Sequence, residues 1–595
     1  MSLSFLCVSA ILSCVREEAI ITKDNAMVSL KSPVKTRSVE SDGYEHLENP
    51  YSLGVMQYVY DTYSTMNVKQ LEPTDIYLRI QPKDSSQLKY LLYESGLDIF
   101  EYPLDIELGD DEDYYDQSLS TDEFPWLYVV VKPDYELSSE LKYEVLDLCY
   151  IPGDGESIAQ TRSESVDVED AAYMALGYDV DGTTGEKPMG SGKSYPKGRI
   201  TVYDDSNAKE VPVKGVKVRG HKFVKYSIGY TDENGYYELR SRFKNKLHYA
   251  IVFDNIKGFD IWGNFGPFAR AHCSIGKHSS DSCSKRITKE HDPKLWRWSA
   301  VNNAGYDYYK MCEETGIKEP PGSLKIMTLR SAESSSTPMM RHINVENSMW
   351  LSFFKASGLA FVDAYTNRII FDMCFPDITI GTDKKNYARI YQHTAHELAH
   401  ASHFSQVGKT YWGKYIDYVV NRFGYGNGKG LYAELCGISE MWGYMMEYAQ
   451  YYDCYEKDAL PENFPAKDWV DWFKPQVFWQ LYQQKTLTKR QIFDCLTNDI
   501  YSFDNLASLM YSKYPESAEK IAEAFEKYGI ELNVRRNLTL RDQSVTASMI
   551  LSGETVSAEN VTVTGGAELV LSGRLVTIRS PFLVDEESSV ILQNS

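Results

Sequence analysis

No run of about twenty apolar residues occurs anywhere in these 595 residues, so no segment reads as a membrane-spanning helix. No block rich in lysine and arginine occurs either. Acidic residues outnumber basic ones, 84 to 62, for a net charge of −22, the opposite of the balance a nucleic-acid-binding face needs. Cysteines are few and unframed: ten in all, with no Cys-x-x-Cys pair, which excludes a thiolate metal knuckle. Cys273 and Cys283 bracket a short polar loop and read equally as a disulfide or as two free thiols. A complete phosphate-binding loop is missing too. Gly190-Ser-Gly-Lys-Ser194 has the ending of one, but Lys187 stands where the first glycine belongs and Pro196 follows where a helix should begin. No nucleotide is expected.

What is present is an ordinary globular composition, 43% hydrophobic, with 45 tyrosines. The length calls for several domains. Near the start, Leu3-Ser-Phe-Leu-Cys-Val-Ser-Ala-Ile-Leu-Ser-Cys14 is a short apolar stretch ending in a small residue and a cysteine. It resembles a bacterial lipoprotein signal, which implies cleavage before Cys14 and lipidation of its thiol. Glu17 and Glu18 resemble the surface-export signals of Bacteroidota lipoproteins. On that reading residues 1–13 are the signal and 14–45 a polar tether, and the protein belongs to the bacterial cell envelope, at the outer membrane, surface or periplasmic face. Its contact with the membrane would be through lipid alone.

The pattern predicts a multidomain α+β chain. Residues 46–165 read as an N-terminal α/β domain, with strands in Thr74-Asp-Ile-Tyr-Leu-Arg-Ile80 and Trp126-Leu-Tyr-Val-Val-Val131. Helices are expected over 85–95 and 138–148, and the acidic loop Asp110-Asp-Glu-Asp113 is expected on the surface. A linker is expected over 166–197. Residues 198–262 are all β in pattern. Thr231-Asp-Glu-Asn-Gly-Tyr-Tyr237, read as a hairpin, and the strands around it resemble the carboxypeptidase regulatory-like (prealbumin-like) β-sandwich. Residues 263–535 are helix-rich. In the tail, 540–595, Leu551-Ser-Gly553 recurs as Leu571-Ser-Gly573 and Leu592 follows at nearly the same step. That period suits a short β-solenoid-like segment that needs another domain to pack against.

The chemistry concentrates in His396-Glu397-Leu398-Ala399-His400. Two histidines four apart on a helix point the same way and can share one Zn²⁺, while Glu397 can face a water on the metal. The segment from 383 to 407 has no proline or glycine, Asp383 is a plausible N-cap and Gly408 a plausible stop. Four of the eleven histidines, His393, His396, His400 and His403, fall in one stripe of this helix. His403 is seven residues from His396, about 10 Å along the axis, too far to share its metal. His393 fails with His400 for the same reason, so both read as residues behind the ligands or lining the groove.

A third ligand must then come from a later carboxylate in Tyr432-Ala-Glu-Leu-Cys-Gly-Ile-Ser-Glu-Met-Trp-Gly-Tyr-Met-Met-Glu447. Glu434 stands in a first helical turn, which the helix dipole alone explains. Glu447 sits among tyrosines that suggest exposure. Glu440 lies in an apolar run with small residues and needs a compensating cation if buried. Glu440 is favoured and Glu434 is the reserve.

The His-Glu-x-x-His helix with a downstream glutamate resembles the gluzincins. The resemblance implies zinc held by His396, His400 and Glu440, with Glu397 as general base in peptide-bond hydrolysis. The separation from His400 to Glu440 is longer than in thermolysin-like members, and their Asn-Glu-x-x-Ser-Asp context is absent. The loop Asn421-Arg-Phe-Gly-Tyr-Gly-Asn-Gly-Lys-Gly430 would be the insertion. Tyr444 and His342 are candidates to hold the developing oxyanion. Phe375-Pro-Asp-Ile-Thr-Ile-Gly381 reads as a strand that pairs with extended substrate, and Ser334-Ser-Ser-Thr-Pro-Met-Met340 as a loop bordering the cleft. The expected substrate is a protein or peptide, glycoproteins included. The competing reading is a catalytically silent adhesion or scaffold protein that keeps a zincin fold; an intact Glu397 argues against it, because a scaffold has no use for the base.

Overall fold

The computed structural model describes residues 38–593 except 40–41, 65–68, 110–113, 120–122, 155, 160–164, 179–192, 245, 264–269, 340, 343–375, 423, 456–471 and 535. The expected signal up to Cys14 and the acidic loop at 110–113 lie outside the described residues. The chain is a mixed α and β protein whose strands form several separate sheets. Among the described residues no helix is long and apolar enough to cross a membrane.

The N-terminal part is built on a three-stranded antiparallel sheet. Its centre is β1 (Asp75–Gln81), flanked by β2 (Leu127–Val131) and β3 (Lys142–Cys149). β2 is apolar throughout and buried throughout. The strand β3 overturns the helix expected over 138–148. Leu141, Val145 and Leu148 have helical spacing, but the open edge of β1 takes the segment instead. Arg79 of β1 donates to Glu144 across the pair at 2.7 Å. Long-range pairing outweighs a local pattern here. The helix expected over 85–95 is present as Ser85–Lys89 continuing into Tyr90–Glu94. Helix α1 (Leu53–Tyr63) and helix α2 (Val168–Ala175) close the core, which gathers Met56, Val59, Phe100 and Ala172. Residues 168–175, expected in a linker, are thus part of this core.

Two further sheets follow. One contains β4 (Lys197–Asp204) with β5 (Lys209–Pro212) beside it; the other starts with β6 (Lys217–Lys222) and β7 (Lys225–Tyr230). β8 (Tyr236–Glu238) returns to β4, and β9 (Lys246–Val252) to β6. Residues 231–237 therefore connect two sheets and do not form the expected hairpin. The turn itself is tight: Asp232 Oδ1 accepts from the amides of Asn234 and Tyr236, both at 2.8 Å. Gly235 has φ 80°, and a Cβ there would meet the Ile200 carbonyl at 2.4 Å, so no other residue fits.

Beyond residue 262 the same two sheets continue. Strand β10 (Phe259–Trp262) leaves them for a third sheet, while β11 (His272–Ser279) pairs with β9 and β12 (Lys285–Ile287) with β4. Cys273 and Cys283 are both buried and are not bonded to each other.

Helix α3 (Pro293–Thr315) packs on the third sheet, which is parallel and ordered β10, β13 (Leu324–Leu329), β14 (Ile378–Gly381). Two long helices then carry the site, α4 (Tyr387–Asn421) and α5 (Ala433–Tyr455). Shorter helices follow, among them α6 (Phe503–Lys513) and α7 (Ala518–Lys527). The tail forms β15 (Asn537–Val545), β16 (Met549–Val563), β17 (Glu568–Val584) and β18 (Ser589–Gln593), all paired in parallel. Leu551 stands opposite Leu571, and Leu571 opposite Leu592. The repeat in the sequence is thus a ladder in space, and its inner side packs on α6 and α7.

Two stability tests follow from these cores. Leu571 is fully buried within the ladder, so Leu571→Ala is expected to cost about 2–5 kcal/mol in denaturant titration; a change within error would contradict its core role. In the N-terminal part, His46 bonds Asp105 at 2.9 Å and Asp42 at 3.0 Å. Burial pulls this imidazole down, but the two carboxylates outweigh it and push its pKa up to about 9. A histidine raised on folding contributes stability that is full below its unfolded pKa of about 6.5 and lost as pH rises through the folded value. Stability is expected to fall between about pH 6.5 and pH 9, and His46→Gln to remove that dependence; an identical slope in the variant would refute the assignment.

Candidate metal centre

Helix α4 begins at Asn386, whose side chain accepts from the Arg389 amide at 2.9 Å. Asn386 rather than Asp383 is the cap. At Gly408 the backbone turns to φ 77° and ψ 175°, and a second helical run continues to Asn421. Gly408 therefore ends the histidine-bearing segment as expected, without ending the helix pair. The first segment presents His396, Glu397 and His400, all buried. Helix α5 packs along it, tied by Trp442 Nε1 donating to the Ala399 carbonyl at 3.2 Å. It presents Glu440, fully buried.

His396, His400 and Glu440 offer ligand atoms that all lie within 4.8 Å of one another. His396 Nε2 is 3.0 Å from His400 Nε2 and 3.4 Å from Glu440 Oε2, and His400 Nε2 is 3.5 Å from Glu440 Oε1. Among the described residues this is the one group of three or more such side chains that could hold a metal ion. Two features mark it as a cradle for a cation. Glu440 Oε2, which faces the cluster, is buried with no hydrogen-bond partner, a costly state for a polar atom in a core. Gly443, one turn after Glu440, has only a hydrogen where any other residue would place a Cβ 2.9 Å from Nε2 of both histidines.

The shell around the three is specific. Tyr415, on the run beyond Gly408, donates to Glu440 Oε1 at 2.6 Å. Glu447 Oε2 lies 3.1 Å from His396 Nδ1, and its other oxygen accepts from Arg389 at 2.7 Å. Glu447 is 2% exposed, which corrects the exposed position expected from its tyrosine neighbours. A carboxylate behind a ligating imidazole fixes the ring and raises its basicity. Burial would raise the Glu440 carboxyl, but the imidazoles of His400 and His396 hold it well below the usual range. Burial likewise opposes charge on His396, yet the carboxylates of Glu440 and Glu447 push its pKa up to about 10. For Glu397, burial prevails and the carboxyl is raised.

The other expected residues take distinct places. Neither His393 nor His403 joins the three. His393 Nδ1 sits 2.7 Å from Lys385 Nζ; an ammonium can only donate, so the ring proton of His393 is on Nε2. His403 is fully buried against the rings of Tyr411 and Trp412. Glu434 is exposed and caps α6, accepting from the Phe503 amide at 2.8 Å, so the reserve ligand is ruled out of this group. Tyr444 stands edge-on to His396 with ring centroids 4.5 Å apart. His342 lies against Asp377 and Phe404 instead.

β14 is not open to a substrate strand. β13 pairs with one edge, and on the other Ser336 and Thr379 exchange amide hydrogen bonds at 2.9 and 2.8 Å. The loop at 334–338 does border the site, through Thr337, whose hydroxyl meets Glu397. Sequence reasoning missed Tyr415, Gly443, Glu447 and Thr337 as parts of the site; only Gly443, a small residue beside a buried carboxylate, left a local signal. No protein-family model matches the chain, and no curated protein does.

Two substitutions probe the cradle. Gly443→Ala favours the helix yet fills the space between the imidazoles, so divalent-metal affinity is expected to fall by about 100-fold or more while the helical circular dichroism stays unchanged. Glu447→Gln is expected to weaken the metal by about 10–100-fold. Competition with a chromophoric chelator measures both, and wild-type affinity in Gly443→Ala would rule out this cradle.

Proposed function

We propose that the chain is a zinc-dependent peptidase of gluzincin type, with His396, His400 and Glu440 as ligands and Glu397 as general base. The observation that carries the reading is the donor triangle with Glu397 directly beside it. Bonds of about 2.0–2.1 Å to a tetrahedral ion set donors about 3.3–3.4 Å apart; here the two imidazole nitrogens are 3.0 Å apart, with Glu440 Oε2 3.4 Å from His396 and Oε1 3.5 Å from His400. Two imidazoles and a carboxylate are a donor set that zinc favours in hydrolytic sites. The layout is compatible with that reading: the donor cluster sits on long helices that follow a set of β sheets and precede a parallel β ladder. The residues up to 45 support a lipid-anchored place in a bacterial cell envelope, where a protein or peptide is the substrate.

When bound, zinc supplies Lewis acidity toward a water and the scissile carbonyl. The chain supplies the rest. Glu397, raised by burial, takes the proton of the attacking water and delivers it to the leaving amine nitrogen. Glu447 and Tyr415 keep His396 and Glu440 in place. Tyr444, beside His396, is the candidate to donate to the developing oxyanion.

Profiling on a peptide library, with and without chelator, tests the reading. Glu397→Gln is expected to keep one zinc per chain and to lose hydrolysis by about 10²–10⁴-fold. A wild-type protein that binds zinc and cuts nothing in a broad library would favour the silent scaffold instead.

A further inference from the structure

Thr337 lies on neither helix of the site, yet it touches the proposed base. It belongs to the segment 332–339 that runs antiparallel along β14, anchored by the Ser336–Thr379 pair. Pro338 follows and restricts Thr337 to extended backbone. From the other side, Trp412 Nε1 donates to the Thr337 carbonyl at 3.2 Å. The residue is thus held by the strand beneath it and by α4, and it is 5% exposed.

Its side chain is placed with equal definition. Thr337 Oγ1 lies 2.7 Å from Glu397 Oε2 and 2.9 Å from the Glu397 main-chain oxygen. A hydroxyl has one hydrogen to give, and a main-chain oxygen can only accept. While Glu397 is ionised, the charge-assisted bond to Oε2 is the stronger of the two. Once the carboxyl has taken a proton on Oε1, Oε2 becomes a weaker acceptor and the hydrogen can turn to the main-chain oxygen. Neither state strands the hydroxyl. Left alone, the terminal torsion of a glutamate is broad and roughly two-fold, so the carboxylate would wander between equivalent poses. Among the described residues Oε1 makes no hydrogen bond, which leaves it as the oxygen open to the proton.

We infer that Thr337 is a positioning residue for the base. It pins Oε2 of Glu397 while the base is ionised and so presents Oε1 to the attacking water. This rests on the reading of Glu397 as general base.

The test uses the full chain loaded with zinc and a peptide that the wild type cuts. Thr337→Val keeps the shape and removes the hydroxyl; Thr337→Ser keeps the hydroxyl and removes a methyl. Thr337→Val is expected to lower kcat about 10–100-fold with KM within about two-fold and zinc still at one per chain. Thr337→Ser is expected to recover kcat to within about three-fold of wild type. A readout free of activity accompanies these: in the metal-free protein with isotope-labelled glutamate, the infrared carboxyl band assigned by Glu397→Gln should shift in Thr337→Val and not in Thr337→Ser. Wild-type kcat in Thr337→Val, or Thr337→Ser as slow as Thr337→Val, overturns the inference alone. A wild type that cuts no peptide overturns the peptidase reading and this inference with it.

Discussion

The buried carboxylate of Glu440 is the constraint around which the site is arranged. A carboxylate wholly withdrawn from water is strongly unfavourable unless charge and hydrogen bonds replace its hydration. Here one oxygen takes a hydrogen bond from Tyr415 and the other faces His396 with no hydrogen bond of its own. Everything nearby serves that requirement. The imidazoles of His396 and His400 converge on it, Glu447 holds His396 from behind, and Arg389 balances Glu447 at the margin. Polar residues are thereby ranked in layers, each group answering the charge of the one inside it.

The frame that holds α4 in place is polar as well as apolar. A single large core runs from Ile200 through the helices to the tail. The N-terminal part is joined to it by buried polar ties: Arg219 to Glu101 at 3.1 Å, and Tyr93 to Asp260 at 2.6 Å, where Arg270 also pairs with Asp260 at 3.2 Å. Asp260 is on β10, in the sheet that continues to β14 and to the segment of Thr337. Such pairs add little net stability because desolvation offsets attraction. What they do contribute is register, since any other seating would leave a buried charge alone. The strand that supports Thr337 is therefore located by a chain of specific polar contacts as much as by packing.

Much of this was legible in the sequence, and the parts that were not share one cause. The two histidines and Glu397 are local: four residues on one helix fix their relation without reference to the rest of the chain. Glu440 was legible because a carboxylate in an apolar run demands a partner. Asp75–Gln81 and Leu127–Val131 were legible from their apolar patterns, and the tail from its repeat. The misread elements depended on distant partners. Lys142–Cys149 has helical spacing but meets the open edge of β1. The Asp232–Tyr236 turn is a good hairpin turn whose strands go to different sheets. Glu447 looks like a surface acid until Arg389 and His396, more than fifty residues earlier, are brought against it. Thr337 carries only the signal of its loop, because a threonine before a proline does not announce a contact with Glu397.

Two glycines show how far a residue type alone can mislead. Gly408 is needed for its dihedral angles: a φ of 77° lets the helix break so that Tyr415 swings back over Glu440. Gly443 is helical and needed for the opposite reason, the atom it lacks. The same letter thus serves backbone freedom in one helix and empty volume in the other. The second role has the larger consequence. The distance between α4 and α5 at their closest approach is set by packing of Trp442 on Ala399 and by the missing side chain at 443. The donor triangle inherits its size from that spacing. Its dimensions follow from how the two helices pack, so a group that can hold a cation is set by the frame and not by the loops around it.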